Sequence, residues 1–129
     1  MMMQNEQQFT IEGRLPSLNE YTGACRSHWS KGAQLKRQVE ADIMWQLTAA
    51  RLARKVGKAA GPVIISLEWH DSNGRRDIDN VFFGVKFILD AMQKMELIAN
   101  DDRKHVVGLN HSIVDDDKDF VVVTIRPAA

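Results

Sequence analysis

The stretch that decides the fold is VIISLEWH, Val63–His70, which follows the pair Gly61-Pro62. It is rich in β-branched residues, and such residues are favoured in strands. We therefore expect this segment to form a central strand, with the rest of the domain arranged around it.

A helix is expected soon after this strand. The turn at residues 71–74, Asp-Ser-Asn-Gly, separates the two. Asp79 or Asn80 is a good N-cap for a helix that runs to about Met95. Apolar residues recur along it at helical spacing and predict a buried face made of Val81, Val85, Ile88, Leu89 and Met92.

The remaining elements follow from the same kinds of pattern. Residues 8–13 alternate as a short strand, residues 14–32 have no steady apolar period and are predicted as a long loop, and residues 33–56 predict a helix ended by Gly57. After a loop at 98–103, His105–Val114 and Phe120–Ile125 predict a terminal hairpin turned at residues 115–118. Trp29, Trp45 and Trp69 are expected to anchor the core or the loop.

These elements predict a single α+β domain with a mixed β-sheet and helices packed on it, in the order β-α-β-α-β-β. The domain is expected to span residues 8–129, after a disordered N-terminal segment at residues 1–7.

Length and composition place limits on the class of protein. The chain has 129 residues, of which 44% are hydrophobic and 26% charged, as in ordinary globular domains. No apolar run approaches the roughly 18 residues of a membrane span, and the first eight residues lack the apolar core of a signal peptide. The single cysteine, Cys25, excludes an internal disulfide and a cysteine-based zinc site. We therefore expect a cytoplasmic protein with no membrane partner.

Charge is divided unevenly along the chain. The formal net charge is zero, which by itself is unusual for a nucleic-acid binder. Residues 1–60 carry nine Lys/Arg and five Asp/Glu, a net of +4, and residues 61–129 carry eight and twelve, a net of −4. Such a division suits a protein that holds a polyanion with one part and a cation with the other. An uneven scatter of solvated charges explains it equally well.

Candidate chemistry is concentrated in RRDIDN, Arg75–Asn80. Asp77 and Asp79 lie beside two arginines and ahead of the later pair Asp101-Asp102. Hard cations such as Mg²⁺ prefer oxygen ligands, usually take one or two carboxylates, and leave positions for water and substrate phosphate. The pattern therefore indicates a divalent-metal site that hydrolyses phosphodiesters. A turn followed by an N-cap explains the same two aspartates without a metal.

Lys86 and Asp90 extend this pattern along the predicted helix. At 100° per residue, both point in nearly the same direction as Asp79, so the three share a stripe away from the apolar face. The alternative is an ordinary ion pair between Lys86 and Asp90 on a solvated face.

Other chemistries find little support. An EF-hand loop counted from Asp77 needs a glycine sixth and a glutamate twelfth, where this chain has Phe82 and Ile88. The four histidines lack zinc-ligand spacing. The chain has no P-loop, dinucleotide fingerprint or Ser/His/Asp order, so no nucleotide cofactor is expected. The acidic run at residues 115–119 is expected to be a surface turn that favours solubility.

The motif resembles that of the RusA family of Holliday junction resolvases, small metal-dependent endonucleases often carried by prophages. That family shows a basic lead-in, Asp-x-Asp-Asn, a lysine and an Asp on the following helix, and then an acidic pair. The family lysine usually comes three residues after the Asn, where this chain has Phe83. A three-residue insertion restores the pattern, with Lys86 four residues before Asp90 and Asp101 eleven after it. With a similar early strand and Pro/Asn loop, the resemblance covers residues 8–125.

The resemblance implies a homodimer that nicks opposed strands of a four-way DNA junction in recombination and repair, with Mg²⁺ or Mn²⁺ as cofactor. It makes Asp77, Asp79 and Asp101 the metal ligands and, together with Lys86, the catalytic residues. Secondary candidates are Asp102, Asp90 and Asn80. The basic residues expected to contact the DNA backbone are Arg14, Arg26, Lys31, Lys36, Arg37, Arg75 and Arg76.

Two other functions stay open. One is a branched-DNA or flap nuclease without junction preference. The other is a DNA-binding module that kept the fold and lost cleavage, and the departure at Phe83 is the reason to consider it.

Overall fold

The computed structural model describes residues 2, 3 and 5–128 of the chain. Its strands are β1 (Met2–Met3), β2 (Gln7–Glu12), β3 (Lys58–Ala59), β4 (Val63–Asp71), β5 (Val106–Asp115) and β6 (Phe120–Pro127). Its helices are α1 (Leu18–Ser27), α2 (Lys31–Leu52), α3 (Ile78–Phe82) and α4 (Val85–Lys94). Four strands form one mixed sheet in the order β2-β6-β4-β5, and β1 pairs with β3 apart from it. The predicted class, a single α+β domain with a mixed sheet, is confirmed.

β4 lies inside the sheet, so the expected central strand is confirmed. It pairs in parallel with β5, from Val63 opposite Val106 to Asp71 opposite Asp115, and antiparallel with β6. The predicted terminal hairpin is wrong, because β6 lies between β2 and β4 and does not pair with β5. Apolar alternation indicates which face a strand buries, but it does not identify the neighbouring strand.

The core fills the space between one face of the sheet and the helices. From β4 it takes alternate side chains, namely Val63, Ile65, Leu67 and Trp69. From α2 the core takes Ile43 and Leu47, and from α4 it takes Phe87, Ile88, Ala91 and Met92, each 0% exposed. The buried face predicted for the second helix is confirmed at Val81, Ile88 and Met92, whereas Val85 and Leu89 are only half-buried.

The prediction of a continuous loop at residues 14–32 is wrong, because this segment contains α1. The helix begins after Ser17, whose hydroxyl accepts a hydrogen bond from Glu20 N at 3.2 Å, while the Glu20 carboxylate accepts one from Ser17 N at 3.3 Å. This capping box was visible in the sequence as Ser-x-x-Glu. A helical period of apolar residues was not visible in the sequence, because no residue of α1 is buried.

The next helix also differs in its bounds. α2 runs from Lys31 to Leu52 and ends before the predicted Val56. Arg54 takes a left-handed backbone conformation, with a φ of 59°, and this stops the helix without the help of Gly57.

The single helix predicted from residue 79 to residue 95 is divided into α3 and α4. At the division the backbone bonds reach only three residues back, from Gly84 N to Val81 O at 3.2 Å and from Lys86 N to Phe83 O at 3.1 Å. Such bonds tighten the helix to about three residues per turn. Asp79 therefore precedes this tightened turn, and Lys86 and Asp90 follow it.

Gly84 lies at this division because Trp69 passes close to it. A Cβ atom at Gly84 would lie 2.9 Å from Trp69 Cη2, so a larger residue would push the helix away from β4.

The tryptophan prediction is correct only in part. Trp69 is buried, whereas Trp29 and Trp45 are 88% and 76% exposed. At the N-terminal end, β1 pairs in parallel with β3 and β2 begins at Gln7. Residues 1 and 4 lie outside the described residues, so the disordered segment at 1–7 stays a prediction. None of the helices in the described part of the chain combines the length and apolar content needed to cross a membrane.

Candidate active site

The motif lies in what we call the acidic turn, residues 71–80, which follows the C-terminal end of β4. Asp71, the last residue of β4, is 2% exposed and forms an ion pair with Arg76 inside the turn. Asp71 Oδ2 and two guanidinium nitrogens of Arg76, Nε and Nη1, have no hydrogen-bond partner among the described residues. A buried charge pair of this kind is costly to break from one side, so it holds the turn in one conformation.

Further hydrogen bonds fasten the start of the turn. Asp119 accepts from the backbone N and from the hydroxyl of Ser72, at 2.8 and 2.9 Å. Asn73 Oδ1 accepts from Arg75 N at 3.1 Å, as in an Asx turn. Asp119 was expected to be a surface residue that favours solubility. Its contacts give it a structural role that the sequence spacing did not indicate.

Asp77 and Asp79 are both exposed at the beginning of α3. Asp77 is the N-cap residue, but its side chain makes no capping hydrogen bond. In the part of the chain that the structure describes, Asp79 Oδ1 accepts a hydrogen bond only from its neighbour Asn80 N, at 3.0 Å. No ion pair within 4.0 Å involves either carboxylate in residues 5–128. Both carboxylates are therefore available to a cation from solution.

Asn80 connects the acidic turn to α1. Its Oδ1 atom accepts a hydrogen bond from Asn19 N at 3.0 Å. Since Asn19 lies in the first turn of α1, this bond supplies one of the helix-terminal N–H groups with a partner. The Asn of the motif thus has a positioning role in the free protein.

Lys86 lies near Asp90, with Nζ 3.9 Å from Asp90 Oδ2, and its side chain is 51% exposed. Lys36 of α2 lies closer to the same oxygen, at 3.3 Å. This is the ion-pair arrangement left open as the alternative for the two helix residues. No ion pair within 4.0 Å joins Lys86 to Asp77 or Asp79 in residues 5–128, so a catalytic role for Lys86 stays a prediction.

Asp101 and Asp102 lie at the other end of β4. Val63 N donates to His105 O, and Val106 N donates to Asp102 O, so this loop adjoins the first residue of β4. The acidic turn follows its last residue, eight residue steps away, or about 26 Å at roughly 3.3 Å per step. One chain therefore does not gather Asp77, Asp79 and Asp101 at a single point.

The two adjacent aspartates differ in their contacts. Asp102 Oδ1 accepts from Lys104 N, His105 N and His105 Nδ1, and the His105 hydrogen bond lowers the pKa of Asp102. Asp101 forms no ion pair in the described residues and is exposed. Asp101 is therefore the more available ligand of the two, although a role for either one stays a prediction.

The donor set at the acidic turn fits a hard cation in kind. Two exposed carboxylates one residue apart are the ligands that Mg²⁺ takes when water and phosphate complete its shell. No group of three or more His, Cys, Asp or Glu side chains within the described part of one chain lies close enough to hold a metal ion. Within the described residues, Asp77 and Asp79 are the exposed carboxylates of this turn that fit such an ion.

Two histidines near the turn, His111 and His70, make structural contacts. His111 of β5 stacks on Phe82 with ring centroids 4.6 Å apart, and its Nδ1 accepts from Trp69 Nε1 at 2.9 Å. Because indole N–H only donates, Nδ1 carries no proton here. Burial lowers the pKa of His111, which agrees with a neutral ring.

His70 joins β4 to the segment after β5. Its ring nitrogens contact Asp116 Oδ2 at 2.8 Å and Glu68 Oε1 at 2.6 Å. Burial lowers the pKa of His70, but the two carboxylates outweigh it and leave this pKa above its usual value. The hydrogen bonds from His70 and, after it, from Asp117 lower the pKa of Asp116 to about 2.

The seven basic residues proposed as DNA contacts fall into two groups. Arg14, Lys36 and Arg76 are ion-paired with Glu20, Asp90 and Asp71. The others are exposed and form no ion pair within 4.0 Å in residues 5–128, namely Arg26, Lys31, Arg37 and Arg75. Three of these four belong to α1 and α2, in the basic half of the chain.

Comparisons with known proteins add no assignment. No protein-family model matches the sequence, and no curated protein matches it significantly. The resemblance to the RusA family stays a prediction that the motif residues alone carry.

Proposed function

We propose that this protein is a Mg²⁺- or Mn²⁺-dependent endodeoxyribonuclease that acts as a homodimer and resolves four-way DNA junctions. The observation that carries the proposal is the acidic turn. It presents two exposed carboxylates, Asp77 and Asp79, on a scaffold held by a buried ion pair. Its sequence is also the part of the chain that resembles the RusA family.

The acidic turn combines a fixed backbone with carboxylates that are free to bind a cation, and a metal site needs both. Asp71, Arg76 and Asp119 fix the backbone, as supporting residues do around metal ligands in general. Asp77 is left without an internal partner although it occupies an N-cap position. A purely structural aspartate there would be expected to accept a hydrogen bond from the helix N-terminus.

The chain's own residues have separate parts in the proposed reaction. Asp77 and Asp79 hold the ion, Arg75 contacts the phosphate backbone, and Arg76 is a positioning residue. A bound Mg²⁺ would polarise the scissile phosphate and lower the pKa of an attacking water. Lys86 would serve the developing negative charge if it leaves Asp90 when DNA binds.

The proposal needs two chains because one chain cannot bring a third carboxylate to Asp77 and Asp79. The two ends of β4 are about 26 Å apart, so Asp101 of the same chain cannot join Asp77 and Asp79. A homodimer supplies a second copy, and a two-fold axis relates its two sites as it relates the two scissile phosphates of a junction. Under the proposal, Asp101 of the partner subunit completes each site.

DNA binding would rest on the exposed cations of α1 and α2 together with Arg75. Phosphate contacts release counterions, so affinity should fall by roughly 0.9 log unit per tenfold salt for each phosphate neutralised on duplex DNA. Charge reversal at Arg37, which has no internal ion pair within 4.0 Å in residues 5–128, should flatten that slope more than reversal at Arg14.

Asp77→Asn tests the proposal. With Mn²⁺ and a synthetic junction, nicking should fall roughly 100-fold or more while junction affinity in a gel-shift changes little, because a ligand charge is lost and the basic contacts stay. Asp42→Asn, an exposed aspartate of α2, is the matched control and should keep the parent rate. An Asp77→Asn protein that nicks at the parent rate would overturn the metal assignment.

A second function is favoured by one observation, the position of Lys86 beside Asp90. If that ion pair persists on DNA, the protein is a junction-binding module without cleavage. The parent protein distinguishes the cases, since binding without nicking over a Mn²⁺ titration identifies the module. Nicking flaps and junctions at equal rates identifies a branched-DNA nuclease without junction preference.

A further inference from the structure

A groove of about 660 Å³ runs between the edge strand β2 and the helix α2. The strand and the helix run in opposite directions along it. Gln46 of α2 hydrogen-bonds to Glu12 at the end of β2. Beyond the helix, Gly57 N donates to Gln7 Oε1 at the start of β2, at 2.9 Å. The volume lies within the range of known ligand sites, about 300–1,000 Å³. None of the metal or DNA contacts proposed above lines this groove.

Two residues of β2 offer open backbone groups to the groove. In an antiparallel ladder, successive residues bond by turns to the neighbouring strand and away from it. Glu12 binds Gln46 on the side away from β6, so Thr10 and Gln8, two and four positions earlier, have their N–H and C=O groups on that side as well. In the described residues these groups of Thr10 and Gln8 have no protein partner. This half of the β2 edge is therefore free to pair with another strand.

The floor of the groove is apolar and leaves room for side chains. It is formed by Phe9, which is 4% exposed, and by three alanines of α2, Ala49, Ala50 and Ala53. A strand paired with β2 would lie about 4.8 Å from it, and every second side chain of that strand would point to the same face as Phe9. Because the alanine side chains are short, residues of the size of valine fit against them.

The charges along the groove have opposite signs at its two ends. Glu12 and Lys55 line the groove, are exposed, and form no ion pair within 4.0 Å in residues 5–128. Asp42 adds negative charge near Glu12, since one side-chain amide donates both to Glu12 O and to Asp42 Oδ2. At the other end the exposed Lys55 and Arg54 outnumber Glu6, which precedes β2. The groove therefore distinguishes the two directions in which a charged strand could enter.

We propose that this groove binds the extended C-terminal tail of another protein as an added strand, antiparallel to β2. The tail's backbone pairs with Gln8 and Thr10, and its apolar residues face the alanines of α2. Its acidic end, including the terminal carboxylate, lies beside Lys55, and its basic residues lie beside Glu12. Antiparallel pairing is the more stable of the two directions. Strand addition of this kind combines main-chain hydrogen bonds with space for alternate side chains. The inference goes beyond the proposed function and does not depend on it.

Isothermal titration calorimetry with a synthetic peptide tests the groove. The probe is the octapeptide Lys-Lys-Thr-Val-Thr-Val-Asp-Asp with a free C-terminus, and the same residues in reverse order should bind about tenfold more weakly or worse. Ala49→Leu fills the floor and should abolish detectable binding, whereas Ala41→Leu, exposed on the same helix outside the groove, should leave it unchanged. Lys55→Glu should weaken binding, and the exposed Lys118→Glu is its matched control.

Amide hydrogen exchange locates the added strand. With the peptide bound, the amides of Gln8 and Thr10 should exchange more slowly, and those of β5, the other edge strand, should not change. Protection confined to β5, no binding at about 1 mM peptide, or binding indifferent to Ala49→Leu would overturn the proposal.

Two other occupants give distinct results, and each would also overturn it. If a second copy of the chain fills the groove, protection of Gln8 and Thr10 will rise with protein concentration alone. If nucleic acid fills it, duplex DNA will displace the peptide. A protein that binds the peptide as described and never cuts DNA would leave this inference standing and remove the nuclease instead.

Discussion

The two edge strands of the sheet, β2 and β5, differ in whether their outer backbone groups have hydrogen-bond partners. At β2 the chain covers its own edge, because Gln46 of α2 accepts from Glu12 N at 2.6 Å and donates to Glu12 O at 3.1 Å. At β5 no helix or loop in the described residues does this, and the strand is longer by four residues. One edge strand is thus partly covered within the chain, whereas the other has an open row of backbone groups in the described residues.

The largest expected difference between the edges lies in their contribution to the core. Ile11 of β2 is 0% exposed, whereas Ile113 of β5 is only half-buried. Ile11→Ala should lower the free energy of unfolding by about 2–5 kcal/mol, the usual cost of such a cavity. Ile113→Ala should cost clearly less, because Ile113 is only half-buried. Urea denaturation checks both, and equal costs would mean that β5 is as integral to the monomer as β2.

A smaller effect is expected where Gln46 covers β2. Gln46→Ala removes both hydrogen bonds to Glu12 and should lower the free energy of unfolding by about 1 kcal/mol, since water replaces the lost partners. The amide of Glu12 should also exchange with solvent faster. Gln38→Ala, an exposed glutamine of the same helix, is the matched control and should change neither quantity. An unaltered exchange rate at Glu12 would show that Gln46 does not protect this edge.

The smallest effect depends on pH and concerns the attachment of β5 to β4. The pKa of His70 is raised by folding, so its stabilising contribution is complete below its unfolded value near 6.5 and is lost as pH rises through the folded pKa. The pKa of Asp116 is lowered from 3.8 to about 2, so its contribution is complete above 3.8 and is lost as pH falls toward 2. The hydrogen-bonded pair of His70 and Asp116 therefore stabilises the fold most between about pH 3.8 and pH 6.5.

His70→Gln measures this contribution. The difference in urea midpoint between parent and variant should be greatest near pH 5 and should shrink toward pH 9. The difference for Gln46→Ala should be constant over the same range, because neither Gln46 nor the backbone of Glu12 titrates. A His70→Gln difference that grows with pH would contradict the assigned sign.

The sequence predicted the elements of this fold better than their arrangement. Val63–His70 and two residues of the buried face of α4, Ile88 and Met92, were predicted correctly, because burial sets a period along the chain. The strands that pair with β6 were not predicted correctly, because strand order depends on contacts between residues far apart in sequence. α1 was missed for a different reason, since it buries no side chain and only its capping box marked it.

The structure gives the positions of the candidate site residues, and their role stays a prediction. Asp77 and Asp79 lie exposed at a strand end, as expected from the turn that carries them. The distance between them and Asp101 could not be predicted from spacing, because it depends on α3 and α4 crossing from one end of the sheet to the other. Likewise, nothing in the spacing linked Asp71 with Arg76, a pair that only the folded turn brings together.

The insertion of β6 between β2 and β4 also has a consequence for the order of events during synthesis. Gln7 pairs with Ile125, 118 residues later, so the contact that joins the first half of the sheet to the second spans nearly the entire chain. Contacts this distant in sequence form slowly. On the ribosome, β2 and β4 each wait beside an unfilled position until residues 120–127 have emerged, while β4, α3, α4 and β5 can already assemble from consecutive residues. β6 therefore joins a strand that has no other partner in this sheet, β2, to the β4–β5 pair.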